Sequence, residues 1–193
     1  MAKLSDIMVS RVRGKVLKIL LANPNEMYYV RELTRKTKEE INAIRRELAR
    51  LQERGLVKSE QRGNRLYYQF RKAYPFFNEL LGLVVKTTGL GKVIIKNRNK
   101  IGFLKYAFIN TRFIRNEKKT PNQVDLVLIG KIIMPQIDLI IKEYEKKHQI
   151  EVTYSCLEEN EFNYRLNRKD PFITTVLSQP RIMLLGDEIS MMN

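Results

Sequence analysis

The apolar residues of the first part of the chain follow helical spacing, and the most regular stretch is residues 37–55, TKEEINAIRRELARLQERG. Its apolar positions recur three or four residues apart and form one stripe, at Ile41, Ile44, Leu48 and Leu51. A capping box of Thr37 and Glu40 is expected to begin this helix. Gly55, in a left-handed conformation, is expected to end it.

The face opposite this stripe is polar and basic. A helical wheel places these residues on it or on its flank: Lys38, Asn42, Ala43, Arg45, Arg46 and Arg50. Long donors and small residues are the types that enter a DNA major groove and reach bases and phosphates. A solvated helix face has a similar composition, so this helix alone leaves both interpretations open.

The neighbouring patterns favour DNA binding. Residues 7–21 predict a first helix from Ile7 to Leu21, and residues 28–36, YYVRELTRK, predict a short second one. Residues 56–60 and 66–70 alternate as strands, and the turn between them holds Arg62, Asn64 and Arg65. Three helices followed by a basic hairpin is the order of a winged helix-turn-helix.

Two segments carry a resemblance to a known family. The stretch VRELTRKTKEEINAIRRELARLQERGLV resembles the helix-turn-helix of arsenic-repressor-like (ArsR-like) regulators, and SEQRGNRLYYQF resembles their wing. The resemblance covers residues 7–72. It implies a regulator that binds double-stranded DNA through the second helix of the pair and through the wing.

The next stretch, residues 74–88, is YPFFNELLGLVVKTT, and its apolar residues cover more than one face of a helix. Such a helix needs a partner surface. That surface could be the chain's own second domain or a second copy of the chain, and both can hold together. The expected domains are therefore 1–73, a linker helix at 74–91, and 92–193, with a homodimer formed through the first helix and the linker.

The second domain alternates strand-like and helix-like patterns. Strands are expected at residues 101–109, 124–129, 150–154 and 181–185, and helices at 134–148 and 171–177. Alternation of this kind predicts an α/β unit with a central sheet. The whole chain is thus expected to belong to the α+β class, with a winged helix-turn-helix, a linker helix and an α/β domain.

This α/β region resembles the minimal nucleotidyltransferase domains. The segments AFINTRFIRNEKKTPNQVDLVLIG, EENEFNYRL and DPFITTVLSQPRIMLLGDE carry the resemblance. It implies a Gly-Ser phosphate loop and an Asp-x-Asp pair that chelates divalent metal, with a third acid on a neighbouring strand. At those positions the chain has Asn110-Thr111, Asn116, Gln123-Val124-Asp125 and Glu151.

One paired carboxylate is therefore missing, and so are the loop glycines. An amide oxygen does not replace a carboxylate against Mg²⁺, so a nucleotidyltransferase-like domain without activity is expected. Asp125 is then better explained as a structural acid than as a metal ligand. No catalytic residue, metal site or cofactor is predicted.

Charge is distributed unevenly along the chain. Residues 1–75 hold 18 Lys and Arg against 8 Asp and Glu, a net charge of +10. Residues 76–105 hold 6 against 1, and residues 106–193 hold 12 against 12. A basic half joined to a neutral half predicts that polyanion binding is confined to the first.

One histidine and one cysteine, His148 and Cys156, are too few for a Cys/His metal cluster or an internal disulfide.

Three functions compete at this point. The leading one is a DNA-binding transcriptional regulator whose second domain is an effector or interaction module for a small molecule or a protein. The second is an active nucleotidyltransferase directed by a basic winged helix. The third is an RNA-binding or antitoxin-like module, although a winged helix favours duplex DNA. No membrane-spanning run or signal-peptide pattern is recognised, so a soluble cytoplasmic protein is expected.

Overall fold

The computed structural model of the protein describes residues 10–115, 117 and 123–192. Two compact units are present, of which the first ends at Thr87 and the second begins at Thr88. Helices and strands occur in both units, in agreement with the expected α+β class. Each unit has its own sheet and its own core.

The first unit is a winged helix-turn-helix followed by one more helix. Its elements are α1 (Arg11–Ala22), β1 (Tyr28–Tyr29), α2 (Val30–Thr37), α3 (Ile41–Glu53), β2 (Val57–Arg62), β3 (Arg65–Phe70) and α4 (Phe77–Thr87). The strands form an antiparallel sheet in the order β1-β3-β2. Ser10 caps α1 through its hydroxyl, and the expected helix start at Ile7 lies outside the described residues.

Three of the four expected core positions of α3 are confirmed, whereas Ile41 is only half-buried. Ile44 and Leu48 of α3 are fully buried, and Leu51 is nearly so. They share the interior with apolar residues of the other elements: Val16, Leu17, Leu20, Leu33 and Phe70. At about 25 cal/mol per Å² of apolar surface removed from water, this burial is the main force that holds α3 in place.

The start of α3 differs from the expectation. Thr37 is not a cap, because it ends α2 and its hydroxyl donates to the Leu33 carbonyl at 2.7 Å. Lys38 then adopts a left-handed conformation, with φ of 54°, and lies in the turn between the helices. Glu40 is the cap of α3, and its carboxylate accepts from two backbone amides. The helix cannot begin at Thr37 because a left-handed residue interrupts it.

The hairpin and the end of α3 match the sequence patterns. Gly55 has φ of +72°, and its amide and that of Leu56 donate back to carbonyls of α3, as in a Schellman motif. Gly63 has φ of +57° at the tip of the hairpin, where the backbones of Arg62 and Arg65 are opposite each other in the β2–β3 register.

Residues 28 and 29, predicted as helix, are strand instead, because they pair with β3.

The predicted linker helix is in fact two helices. Helix α4 belongs to the first unit, and a helix that was not predicted, α5 (Gly89–Ile101), begins the second. On α4, Leu81 and Val84 are fully buried within the chain. Much of the apolar surface that suggested a dimer interface is therefore covered by the first unit itself.

The second unit is a four-stranded mixed sheet with helices on both faces. After α5 come β4 (Gly102–Asn110), α6 (Thr111–Ile114), β5 (Leu126–Ile132), α7 (Met134–His148), β6 (Tyr154–Leu157), α8 (Glu159–Asn167), α9 (Pro171–Ser178), β7 (Arg181–Leu185) and α10 (Glu188–Met192). The strand order is β6-β5-β4-β7. Strand β4 is antiparallel to both neighbours, whereas β5 and β6 are parallel and are joined through α7.

Alternate residues of the central strands face opposite layers of helices. Tyr106 and Phe108 of β4 and Val127 of β5 pack in one core with residues of α8, α9 and α10. The intervening positions Ala107 and Leu128 are also fully buried, on the side where α5 contacts β4 and α7. Burial on both faces explains why β5 is almost continuously apolar.

Candidate nucleic-acid interface

The polar face of α3 lies at the surface of the first unit. Five of the six predicted DNA-binding positions of this region are on the helix, and all of these but Ala43 are exposed: Asn42, Arg45, Arg46 and Arg50. Ala43 is half-buried. Lys38, the sixth, is exposed but lies in the turn before the helix. The helix thus presents arginines and small residues outward, directly opposite its buried stripe.

Ion pairs from α1 fix the position of α3. Glu47 of α3 is 3% exposed, and Arg13 of α1 donates to its carboxylate at 2.5 Å. Arg50 lies 3.9 Å from the other oxygen of Glu47, so one buried acid connects the core to the outward face. The sequence pattern did not single out Glu47, because an acid at this position reads as an ordinary helix surface residue.

The N-terminus of α3 is held by acids rather than by hydroxyls. The Asn42 and Ala43 amides donate to Glu40 at 2.7 Å and 2.8 Å, and they hold the pKa of the Glu40 carboxyl below its ordinary value. Glu39 accepts from Lys15 and Arg11, which likewise lower its pKa. The two bonds to Glu40 satisfy two of the free amides of the first turn of the helix.

The wing carries its arginines against tyrosine rings. The Arg65 guanidinium lies 4.9 Å from the centre of the Tyr29 ring, and that of Arg62 lies 5.8 Å from the Tyr67 ring. The two rings meet edge to face, with centroids 5.6 Å apart. Arg35 of α2 donates to the Tyr29 hydroxyl at 3.2 Å. Tyr29, Tyr67 and Arg35 therefore belong to the basic surface, although the sequence patterns did not single them out.

The two wing arginines differ in their ion pairing. Arg62 is engaged by Glu60 at 2.7 Å, and this contact raises the pKa of Arg62. Arg65 has no acidic partner among the described residues. Asn64 is exposed between them at the tip of the turn. A phosphate would meet Arg65 directly but would have to compete with Glu60 for Arg62.

In the second unit, the residues at the expected phosphate loop contact protein groups. Asn110 ends β4 and caps α6, since its side-chain oxygen Oδ1 accepts from the Arg112 amide at 2.8 Å. Its side-chain amide donates to Gln179. The Thr111 amide and hydroxyl both donate to the Pro180 carbonyl, at 3.0 Å and 3.1 Å. Both residues are buried, and their hydrogen-bonding groups are used within the fold.

Asp125 is a buried acid with protein partners. It is 2% exposed, pairs with Arg112 of α6 and accepts from the Thr153 amide at 2.9 Å. It lies just before β5 rather than on the strand, because β5 begins at Leu126. This environment agrees with the structural interpretation of the acid.

The other residues of the expected nucleotidyltransferase site do not form a cluster with Asp125. Gln123 precedes β5 and lies outside any strand. Glu151 is exposed in the loop before β6, which begins at Tyr154 and not at residue 150, so the expected third acid is not on a strand. Asn116 lies outside the described residues. Among the residues described, no group of three or more His, Cys, Asp or Glu side chains could hold a metal ion.

Fold and surface together define the first unit as a winged helix-turn-helix with a basic outward face.

In the described part of the chain, no helix has both the length and the apolar character needed to cross a bilayer. No family model and no curated protein matches the sequence.

Two solved structures resemble part of the chain. Reduced HlyU from Vibrio cholerae N16961 is 22% identical over 42% of this chain and 77% of its own, with a TM-score of 0.33. Rv0081 from M. tuberculosis is 23% identical over 49% of this chain and 89% of its own, with a TM-score of 0.35. The class stated above rests on the geometry of this protein and not on these similarities.

Proposed function

We propose that this protein is a DNA-binding transcriptional regulator of the ArsR-like type. The observation that carries the proposal is the exposed face of α3, where Asn42, Arg46 and Arg50 lie opposite the buried stripe. A helix of this kind fits the major groove, and the adjacent hairpin reaches the neighbouring phosphates. The net charge of +10 in residues 1–75 supplies the electrostatic attraction.

The test is salt-dependent binding of the full chain to duplexes selected from a random library. Each phosphate contact contributes a slope of about −0.9 in log K against log salt concentration. Arg65→Ala should therefore flatten the slope by about one unit, and Arg62→Ala by less, since Glu60 already holds Arg62. Lys18→Ala, which removes one exposed charge from α1, is the matched control.

Arg46→Ala tests the groove contact separately. Loss of a good base contact costs about 1–3 kcal/mol at the preferred site, with a smaller loss on unrelated duplexes. If Arg46→Ala leaves both affinities unchanged while wing variants weaken binding, α3 does not enter the groove as proposed. If wild-type protein shows no salt-dependent affinity for any duplex, the regulator proposal fails.

We further propose that the second unit is a nucleotidyltransferase-like domain that serves as an effector or interaction module and transfers nothing. The order β4-α6-β5-α7-β6, antiparallel and then parallel, supports the layout implied by the sequence. The Arg112–Asp125 pair supports inactivity, because the remaining acid is already neutralised by an arginine. Two-metal transfer chemistry needs carboxylates free to hold both ions.

The rival hypothesis is an active nucleotidyltransferase. Full-length protein would be incubated with Mg²⁺ or Mn²⁺, each labelled nucleotide, and protein or RNA acceptors. Incorporation that is abolished by Asp125→Asn, a variant close in shape to the parent, would favour the enzyme. No incorporation above the level of that variant is expected.

We propose a homodimer that uses the side of α4 left uncovered by its own unit. Phe76 is 60% exposed, and Leu80 and Leu83 are half-buried at the following helical positions on the same side. Leu81 and Val84 are unsuitable for the test, because charges there would unfold the unit. Leu83→Glu should shift sedimentation from dimer toward monomer, and Lys86→Glu on the same helix is the control.

A further inference from the structure

Helix α5 carries a row of cations that the winged helix does not explain. Lys92, Lys96 and Lys100 lie at successive positions four residues apart and are all exposed. The row runs along the side opposite the buried Ile94 and Ile101. At about 1.5 Å per residue it is about 12 Å long. Exposed Asn99 lies on the same side and adds an amide donor.

The row is unusual within its own unit. From residue 88 onward the chain holds 17 Lys and Arg against 12 Asp and Glu, and α5 has four of the cations and no acid. The nearest acids in sequence are Glu79 and Glu117. Some basic residues elsewhere in the unit are paired with acids, as Lys105 is with Glu159 and Arg165 with Glu161. Within the described residues, none of the three lysines has an ion pair.

Helix stability does not account for this arrangement. Cations near the C-terminus of a helix are favoured by the helix dipole, which explains Lys100. Lys92 and Lys96 lie earlier, and like charges four residues apart repel each other. The row therefore weakens the isolated helix and presents three uncompensated positive charges to an anionic partner.

We infer that the α5 row is a second binding surface for nucleic-acid phosphates, formed by Lys92, Lys96 and Lys100. The inference rests on the proposed DNA-binding function of the first unit, which makes duplex DNA the partner. Phosphates follow one another at about 3.4 Å of helix axis along each DNA strand, so a row of this length spans several. Lysines act on phosphates as point charges, so this surface contributes affinity without base preference.

The test compares two triple variants of the full chain by fluorescence anisotropy with duplex DNA over a range of KCl concentrations. K92Q/K96Q/K100Q removes the α5 row. K142Q/K146Q/K147Q removes three exposed lysines from α7, where Glu143 and Glu145 are interspersed with them. Glutamine has nearly the helix propensity of lysine, so both variants should keep their helices. Circular dichroism and melting temperature check this.

The α5 variant should flatten the slope of log K against log salt by up to about 2.7, three contacts at about 0.9 each. The α7 variant should leave the slope within experimental error of wild type. Affinity ratios between preferred and unrelated duplexes should stay the same in both, because no base contact is removed. The melting temperature of the α5 variant should equal or exceed that of wild type, since repulsion is relieved.

Equal slopes for the α5 variant and wild type would overturn the inference, and so would equal flattening in both triple variants. Weakened binding to single-stranded RNA with unchanged binding to duplex DNA would also overturn it. The proposed function is judged by Arg46→Ala and Arg65→Ala in the same assay. If those variants weaken binding and the α5 variant does not, the regulator proposal stands and only the second surface fails.

Discussion

The buried pair of Arg13 and Glu47 allows a sharp test of what positions α3. Replacing Arg13 with alanine leaves a carboxylate that is 3% exposed with only Arg50, 3.9 Å away. Breaking a buried pair costs about 3–5 kcal/mol, and the 26% exposure of Arg13 places the expected loss near 2–3 kcal/mol. The loss should appear in α1 and α3, which the pair joins.

Hydrogen exchange measured by mass spectrometry on the full chain reports this locally. At about 1.4 kcal/mol per factor of ten, amides of α1 and α3 should exchange about 30 to 150 times faster in Arg13→Ala. Arg11→Ala is the control, because Arg11 is 77% exposed and its partner Glu39 keeps Lys15. A solvent-exposed pair of that kind contributes little to stability.

A double variant distinguishes two causes of the loss, namely the lost attraction between Arg13 and Glu47 and the cost of a buried Glu47 carboxylate without its partner. Replacing both partners, as Arg13→Met with Glu47→Leu, should recover most of the protection, because no buried charge then lacks its partner. Equal exchange in Arg13→Ala and Arg11→Ala would refute the role of the pair. A double variant no better protected than Arg13→Ala would refute the explanation by a buried Glu47 carboxylate without its partner.

Three further predictions concern other parts of the chain. Arg112→Ala should destabilise the second unit by about 3–5 kcal/mol in urea unfolding, because the buried carboxylate of Asp125 then loses its cationic partner. Gly55→Ala should lower stability by about 1–2 kcal/mol at a left-handed position, whereas Gly82→Ala inside α4, where an added Cβ meets no atom, should raise the melting temperature. Burial raises the pKa of Cys156 to about 11, so iodoacetamide at pH 8 should alkylate the native thiol far more slowly than the unfolded one.

Local patterns predicted the helices and strands whose side chains face one consistent environment. Helix α7 has the predicted bounds, and the strand at Arg181–Leu185 is likewise correct. Errors came where a partner in space decides the conformation. Tyr28 and Tyr29 became a strand only because β3 lies beside them, and β6 begins later than expected because its register follows β5.

The candidate interface could be predicted in part for the same reason. The exposure of Arg46 follows from its position opposite an apolar stripe, which helical periodicity alone provides. The bond from Arg13 to Glu47 joins residues 34 positions apart, and no local pattern reports such a contact. For the same reason, the contact of the Arg65 guanidinium with the Tyr29 ring across the sheet could not be predicted from local patterns.

The sequence by itself therefore determined the order of most elements of the first unit and the basic charge of the first half, because these depend on residue type and spacing. The tertiary structure decided which acids are buried, which arginines stack on tyrosines, and that Asp125 is held by Arg112. It also decided that Gly89–Ile101 is a helix of the second unit, for which the local pattern gave no prediction. Burial and ion pairing depend on distance in space, and chain folding sets those distances through contacts far apart in sequence.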